Sequence, residues 1–207
     1  MNIQEALSYG FKELSSFTTS KLDASILLKN CTSYTDLDLL INQDKLLTAE
    51  EEINYIKLIT ERKGNKPIAY ITGEKEFYGL NFNVNSHTLI PRPDTELLVD
   101  KVIEYIETNN LKNPKTLDLG TGSGAIIISL LANVNGATGY AVDINPLAIK
   151  KATENAENNS VSDRLTFIES SWFSNVNETN FDIIVANPPY ITTKMMGELE
   201  PDVKDFE

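Results

Sequence analysis

The sequence predicts an α/β fold: a Rossmann-like parallel sheet, incomplete at its C-terminal end, preceded by a small helical bundle and a short β-hairpin. Three observations point there. From Lys115 onward, strand-like and helix-like segments alternate, the pattern of parallel strands joined by crossover helices. A glycine-rich loop with Gly120, Gly122 and Gly124 joins the first of these strands to the first helix. From Met1 to about Tyr70, by contrast, apolar residues recur at three- and four-residue spacing, which is helical periodicity.

Within the first region, Ile3, Ala6, Leu7, Gly10, Phe11 and Leu14 fall on one helix face. Ser20 with Asp23, and Thr48 with Glu51, have capping-box spacing, and Glu50, Glu51 and Glu52 then lie in a first turn where the helix dipole favours negative charge. The region carries no evident catalytic group. Between Glu76 and Pro93 the pattern changes. Phe77, Leu80, Phe82 and Val84 suggest two short strands around Gly79, and Asn85-Ser86 reads as a turn. His87 beside it reads as an ordinary loop residue. Pro91 and Pro93 fix two φ angles, so the segment is stiff, and Asp94 and Thr95 are candidate caps for a helix starting near Glu96. The expected domains are a helical bundle over 1–75, a hairpin and stiff linker over 76–93, and an α/β domain over 94–207.

Composition narrows the function classes. The chain has 207 residues, 41% of them hydrophobic, and a formal net charge of −12. An acidic protein repels polyanions, so nucleic acid is not the expected partner. One cysteine, Cys31, and one histidine provide neither a disulfide framework nor a metal-ligating set. The start MNIQEALSYG lacks the basic-then-apolar pattern of a secretory signal. The longest nearly apolar run, Ala125 to Val134, is too short to span a bilayer. A cytoplasmic protein without a membrane segment is expected.

In the α/β region, KTLDLG, TGYAVDI, RLTFIES and FDIIVAN read as four strands, with helices at GAIIISLLANV and NPLAIKKATENAENN. Only four strands precede the end of the chain, fewer than such sheets usually hold. The loop Asp118-Leu-Gly-Thr-Gly-Ser-Gly124 allows a tight turn and close approach of a ligand to the backbone, and it opens onto a helix N-terminus with N–H groups to offer. Its G-x-G-x-G spacing is not the dinucleotide fingerprint, and no Lys-Ser/Thr pair follows as in a P-loop. Asp143 ends the second strand about twenty residues on, placed to accept hydrogen bonds from two ribose hydroxyls. A nucleoside without a pyrophosphate fits this set, and S-adenosylmethionine is the obvious one. Gly120, Thr121, Gly122, Ser123, Gly124 and Asp143 are the candidate cofactor contacts of a SAM-dependent methyltransferase.

The fourth strand ends in Asn187-Pro188-Pro189-Tyr190. Ligands of open α/β sheets bind beyond the carboxyl ends of the strands, so Gly120, Asp143 and Asn187 are expected along one edge. A planar –NH₂ group could donate one hydrogen to the Asn187 side-chain oxygen and the other to the Pro188 carbonyl. Pro189 stiffens the loop and Tyr190 would wall the flat acceptor. Asn187, Pro188 and Tyr190 are thus the candidate catalytic residues, and Asn187 to Tyr190 the acceptor site.

Taken in order, LIPRPDTELLV (89–99), DLGTGSGAI (118–126) and NPPY (187–190) resemble the HemK/PrmC family, the protein-(glutamine-N5) methyltransferases. The helical start and PIAYITGEKEFYGLNF (67–82) extend the likeness over nearly the whole chain. The resemblance implies methyl transfer from S-adenosyl-L-methionine, with S-adenosyl-L-homocysteine as product, to the glutamine of the Gly-Gly-Gln motif in class 1 peptide chain release factors. It implies cofactor contacts at Gly120 to Gly124, Asp143 and Asn187, with Trp172 covering the adenine. Two departures stand out: Ser171 occupies a position commonly Asp in the family, and the family's sheet continues through roughly three more strands. A C-terminally truncated chain is therefore expected. The alternatives are methylation of an adenine exocyclic amine in nucleic acid, and a module that binds cofactor or partner without turnover.

Overall fold

The computed structural model describes residues 1–188 and forms two compact units, Met1–Thr72 and a second beginning at Gly73. The first is all-helical: α1 (Ile3–Glu13), α2 (Ser20–Thr32), α3 (Asp36–Ile41), α4 (Ala49–Lys63) and α5 (Ile68–Thr72). Its core is Ile3, Ala6, Leu14, Ala24, Leu27, Leu28, Leu39, Tyr55 and Ile59. Gly10 lets α1 approach its neighbours, since a Cβ there would collide with the Tyr55 hydroxyl and lie 2.8 Å from the Ala24 Cβ. Capping boxes close the N-termini of α1 (Asn2, Glu5), α3 (Thr35, Asp38) and α4 (Thr48, Glu51).

The Ser20–Asp23 capping box does not form. Thr19 is the N-cap of α2 and makes no side-chain cap bond. The Asp23 carboxylate is instead buried and accepts a 2.8 Å hydrogen bond from Arg62 Nε, whose guanidinium stacks 4.0 Å from the Phe17 ring centroid. A charge-assisted bond between two buried partners outweighs an exposed cap. Cys31 is half-buried and its thiol is pushed up to about 11, by burial first and then by the charge of Glu51, so it is protonated at neutral pH.

The second unit opens with an antiparallel hairpin, β1 (Glu74–Phe77) and β2 (Leu80–Asn83). Its two turn residues, Tyr78 and Gly79, have φ of 53° and 73°, the left-handed pair of a type I′ turn. This hairpin is built into the unit's core through Phe77 and Phe82. Then come α6 (Glu96–Thr108), β3 (Lys115–Leu119), α7 (Ala125–Asn133), β4 (Thr138–Asp143), α8 (Pro146–Asn158), β5 (Leu165–Glu169) and β6 (Ile183–Ala186). The last four strands form one parallel sheet in the order β5-β4-β3-β6. This is the Rossmann-like α/β architecture that alternation implied.

Strand β3 lies at the centre, and its two faces differ. Leu117 and Leu119 join Val142 in one apolar cluster. Asp118 faces the other way, between its register partners Ala141 and Val185, which belong to the larger cluster shared with α7. Helix α7 is buried along Ala125–Leu131, as its apolar sequence requires.

Candidate functional site

The register of the sheet determines what meets at its carboxyl edge. Leu119 pairs with Val142 on one side and with Ala186 on the other. The next residues, Gly120, Asp143 and Asn187, therefore stand side by side at three adjacent strand tips. Asp143 pairs in turn with Glu169, so the turn carrying Trp172 follows at the fourth tip. Asn187 and Pro188 are half-buried. Pro189 and Tyr190, expected to complete the acceptor site, lie outside the described residues.

The glycine loop is tied to its neighbours rather than open. Gly120 N–H and Thr121 N–H both donate to the Val142 carbonyl, and Gly124 N–H donates to Thr121 O. Gly122 N–H donates to Asp143 Oδ2 at 2.9 Å. Four of the five N–H groups over Gly120–Gly124 are thus bonded within the protein. A phosphate would find few free donors within the loop itself. Gly120, Gly122 and Gly124 have φ of 75°, 55° and 82°, a region other residues rarely adopt.

The three glycines differ in what surrounds them. A Cβ at Gly120 or Gly122 would meet nothing within 4 Å, so the backbone there borders open space. A Cβ at Gly124 would lie 2.7 Å from Ile128 Cδ1 and 3.3 Å from Ala152 Cβ, between α7 and α8. Gly124→Ala is therefore expected to lose about 2–4 kcal/mol of stability in chemical denaturation, from backbone strain plus overpacking. Gly120→Ala, strained but unobstructed, should lose only about 1–2 kcal/mol.

Asp143 does structural work as well as lining the edge. Its Oδ2 holds the glycine loop, and its Oδ1 accepts the Asn145 N–H at 2.9 Å. Asn145 itself caps α8, accepting from Leu147 N–H. Each Asp143 oxygen retains a second acceptor direction.

Asp118, at the root of the loop, was not singled out from the sequence as a site residue. It is 1% exposed; Oδ2 accepts from Thr121 Oγ1 at 2.8 Å, while Oδ1 has no partner. Burial pushes its carboxyl up to about 7, the Thr121 hydrogen bond opposes this, and the charge of Asp143 adds to it. Two neighbouring carboxyl groups and a loop whose donors are occupied suit a ligand that is cationic or neutral. S-adenosylmethionine, with its sulfonium and ammonium groups, fits; a dinucleotide pyrophosphate does not.

Asn155 is a second residue that sequence reading passed over. Fully buried on α8, it accepts Asn83 N–H at 2.7 Å and donates to Asn83 O at 3.0 Å and Ser123 O at 2.8 Å. One amide thereby binds the hairpin to the glycine loop with both of its N–H donors used. Its signal was available: it lies on the same helix face as Ala148, Ala152 and Ala156, all buried.

Trp172 is 56% exposed, so it is not a core residue. Its φ of 53° is unusual for a bulky side chain. The turn is fixed by Ser170, whose hydroxyl donates to Trp172 O and accepts Asn175 N–H. Ser171 is exposed beside it. His87 is exposed in the turn after the hairpin, where its N–H donates to Asn85 Oδ1.

The stiff segment before α6 meets the same edge. Neither expected cap of α6 is made: Thr95 occupies the N-cap position without a side-chain cap bond. Its hydroxyl oxygen instead accepts a hydrogen bond from Asn187 Nδ2 at 3.2 Å. The next residue, Glu96, accepts Tyr78 N–H from the hairpin turn, and Tyr78 OH donates to Asp100. Among the described residues no helix is long and apolar enough to cross a membrane, and no group of three His, Cys, Asp or Glu side chains is arranged to hold a metal ion.

Residues 92–199 match the family model described as Methyltransferase small domain, and residues 5–73 match the PrmC N-terminal domain. A release factor glutamine methyltransferase from Flavobacterium psychrophilum is 40% identical over 198 residues, covering 95% of this chain and 67% of that protein. A bifunctional methyltransferase from Rickettsia typhi is 41% identical over 203 residues, covering 90% of this chain and 39% of that protein. The chain thus spans about two fifths of the bifunctional relatives and about two thirds of the others. Among solved structures, an RNA methyltransferase from Salinibacter ruber in complex with S-adenosyl-L-homocysteine aligns with TM-score 0.41 and 25% identity, over 53% of this chain and 68% of that one. With both family models matched in order, and relatives of this identity along most of its length, the chain belongs to the HemK/PrmC family of release factor glutamine methyltransferases.

Proposed function

We propose that this chain transfers a methyl group from S-adenosyl-L-methionine to the side-chain amide nitrogen (N5) of the glutamine in the Gly-Gly-Gln motif of class 1 peptide chain release factors. The observation that carries the reading is the juxtaposition of Asn187 with Gly120 and Asp143 at adjacent strand tips. It puts an amide able to grip a planar –NH₂ beside a loop suited to a sulfonium nucleoside. The names of the Flavobacterium relative and its like support the choice of acceptor.

The cofactor supplies an electrophilic methyl carbon and takes the C–S bonding pair, leaving S-adenosyl-L-homocysteine. The protein's part is positional. Gly120 and Gly122 allow close approach to the loop, the remaining acceptor directions of Asp143 take the ribose hydroxyls, and Trp172 covers the adenine. Ser171 offers a hydroxyl where the family commonly has a carboxylate.

An amide nitrogen is a poor nucleophile, because its lone pair is delocalised. Bonding its two N–H groups to Asn187 Oδ1 and the Pro188 carbonyl fixes the amide plane, so the nitrogen presents its face to the methyl group; as the N–C bond forms, the nitrogen gives up one of its two hydrogens as a proton to solvent. Such orientation is worth many-fold in rate. Pro189 and Tyr190 complete the clamp in this reading.

Labelled methyl transfer assayed side by side on a release factor, on the same factor with its Gly-Gly-Gln glutamine replaced, and on DNA tests this. Label is expected on the unaltered factor alone. Label on DNA adenine with the factor unmodified would overturn the reading in favour of nucleic-acid methylation. Calorimetric S-adenosylmethionine binding without transfer to any acceptor would identify a binding module.

A further inference from the structure

We infer that Thr95 is a positioning residue for the methyl acceptor: its hydroxyl holds the Nδ2 end of the Asn187 side-chain amide, leaving Oδ1 to face the incoming –NH₂ group. The inference rests on the proposed amide methylation and extends it to a residue of a different segment, 92 positions upstream in the chain.

An asparagine side chain has two nearly isosteric ends of opposite hydrogen-bonding character, and rotation about its last torsion is broad and roughly two-fold. Only the oxygen end can receive a hydrogen from the acceptor nitrogen. With the –NH₂ end outward, two donors would face each other. Something must therefore hold Asn187 in one of its two orientations; a threonine hydroxyl is able to donate or to accept, and here it accepts. Nδ2 donates to Thr95 Oγ1 at 3.2 Å, which turns Oδ1 away from Thr95 and leaves it to accept.

Thr95 is available for this task because it has given up another. It stands at the N-cap of α6, where a threonine hydroxyl ordinarily accepts a backbone N–H, yet it makes no such bond. Its main chain is held by a 3.0 Å bond from its N–H to Arg92 O. Pro93, at the start of the 3₁₀ turn Pro93–Thr95, restricts the backbone further. Glu96, next in sequence, is anchored to the hairpin through Tyr78 N–H. The hydroxyl is thus presented from a fixed frame, and the half-buried position of both Thr95 and Asn187 limits competition from water.

Thr95→Val removes the acceptor at nearly constant shape, and Thr95→Ser restores it. In the full chain, Thr95→Val is expected to lower kcat for transfer to a release factor about 10- to 100-fold. S-adenosyl-L-homocysteine affinity and unfolding temperature should stay close to wild type, and Thr95→Ser should recover the rate. A second readout needs no turnover: the Asn187 side-chain NH₂ resonances, assigned by their loss in Asn187→Ala, should shift in Thr95→Val and return in Thr95→Ser. Unchanged Asn187 resonances in Thr95→Val, or wild-type kcat in that variant, would overturn the inference. So would a rate loss matched by an equal loss of cofactor affinity. An active Asn187→Ala chain would count instead against the proposed function, and the resonance comparison would still decide whether Thr95 orients the amide.

Discussion

Asn187→Ala is expected to lower methyl transfer about 10²–10³-fold while leaving cofactor affinity largely intact. The size follows from what is removed. The Asn187 oxygen is one of two acceptors proposed to hold the substrate amide plane, and truncation leaves the Pro188 carbonyl alone, a contact about which the –NH₂ group can swing. Cofactor binding is spared because the loop and Asp143 hold each other independently of Asn187, through Gly122 N–H and the two bonds to Val142 O. Single-turnover transfer of labelled methyl to a release factor, with calorimetry for the cofactor, separates the two effects. Wild-type turnover in the variant would remove Asn187 from the mechanism.

The second large effect concerns pH. The Asp118 carboxyl is raised from an ordinary value of 3.8 to about 7, chiefly by burial. The folded state therefore holds this proton more tightly than the unfolded chain does. Its contribution favours folding fully below about pH 4 and is lost as pH rises towards 7. Over that window the ligand-free chain should lose on the order of 4 kcal/mol from this group. Beside it, the Asp143 charge reinforces the shift; α7 (AIIISLLAN) and β6 (IIVA), which flank that face, carry no ionisable side chain.

Asp118→Asn removes the titration at nearly constant volume and keeps an acceptor for the Thr121 hydroxyl. Urea denaturation of both proteins at pH 4.5 and pH 8 gives the test. The variant's advantage over wild type should grow by about 3 kcal/mol from the lower pH to the higher. Taking the difference between the proteins cancels carboxylates whose values move the other way, such as Glu178, lowered first by its hydrogen bond from Lys115. Parallel profiles would mean that Asp118 is not the titrating group.

Much of the second unit was legible because its requirements are local. A buried parallel strand reads as KTLDL, a fully enclosed helix as AIIISLL, and a turn through left-handed conformations as three glycines. The hairpin was readable for the same reason, from Tyr78-Gly79 between apolar residues. What escaped depends on partners distant in sequence. Ser20 and Asp23 have the right spacing for a cap, but the winning partner of Asp23 is Arg62, 39 residues away. Thr95 has the right chemistry for a cap, but its hydrogen bond goes to Asn187. Asn155 looked like one polar residue among many on a helix, until the fold brought Asn83 and Ser123 to its two ends. Spacing tells which bonds a side chain is able to make; the competition among them is decided by burial.

Trp172 is the chain's single tryptophan, and it already stands in solvent at the tip of β5. Its ultraviolet emission is accordingly a local gauge, governed by whatever comes to rest on the indole at that rim.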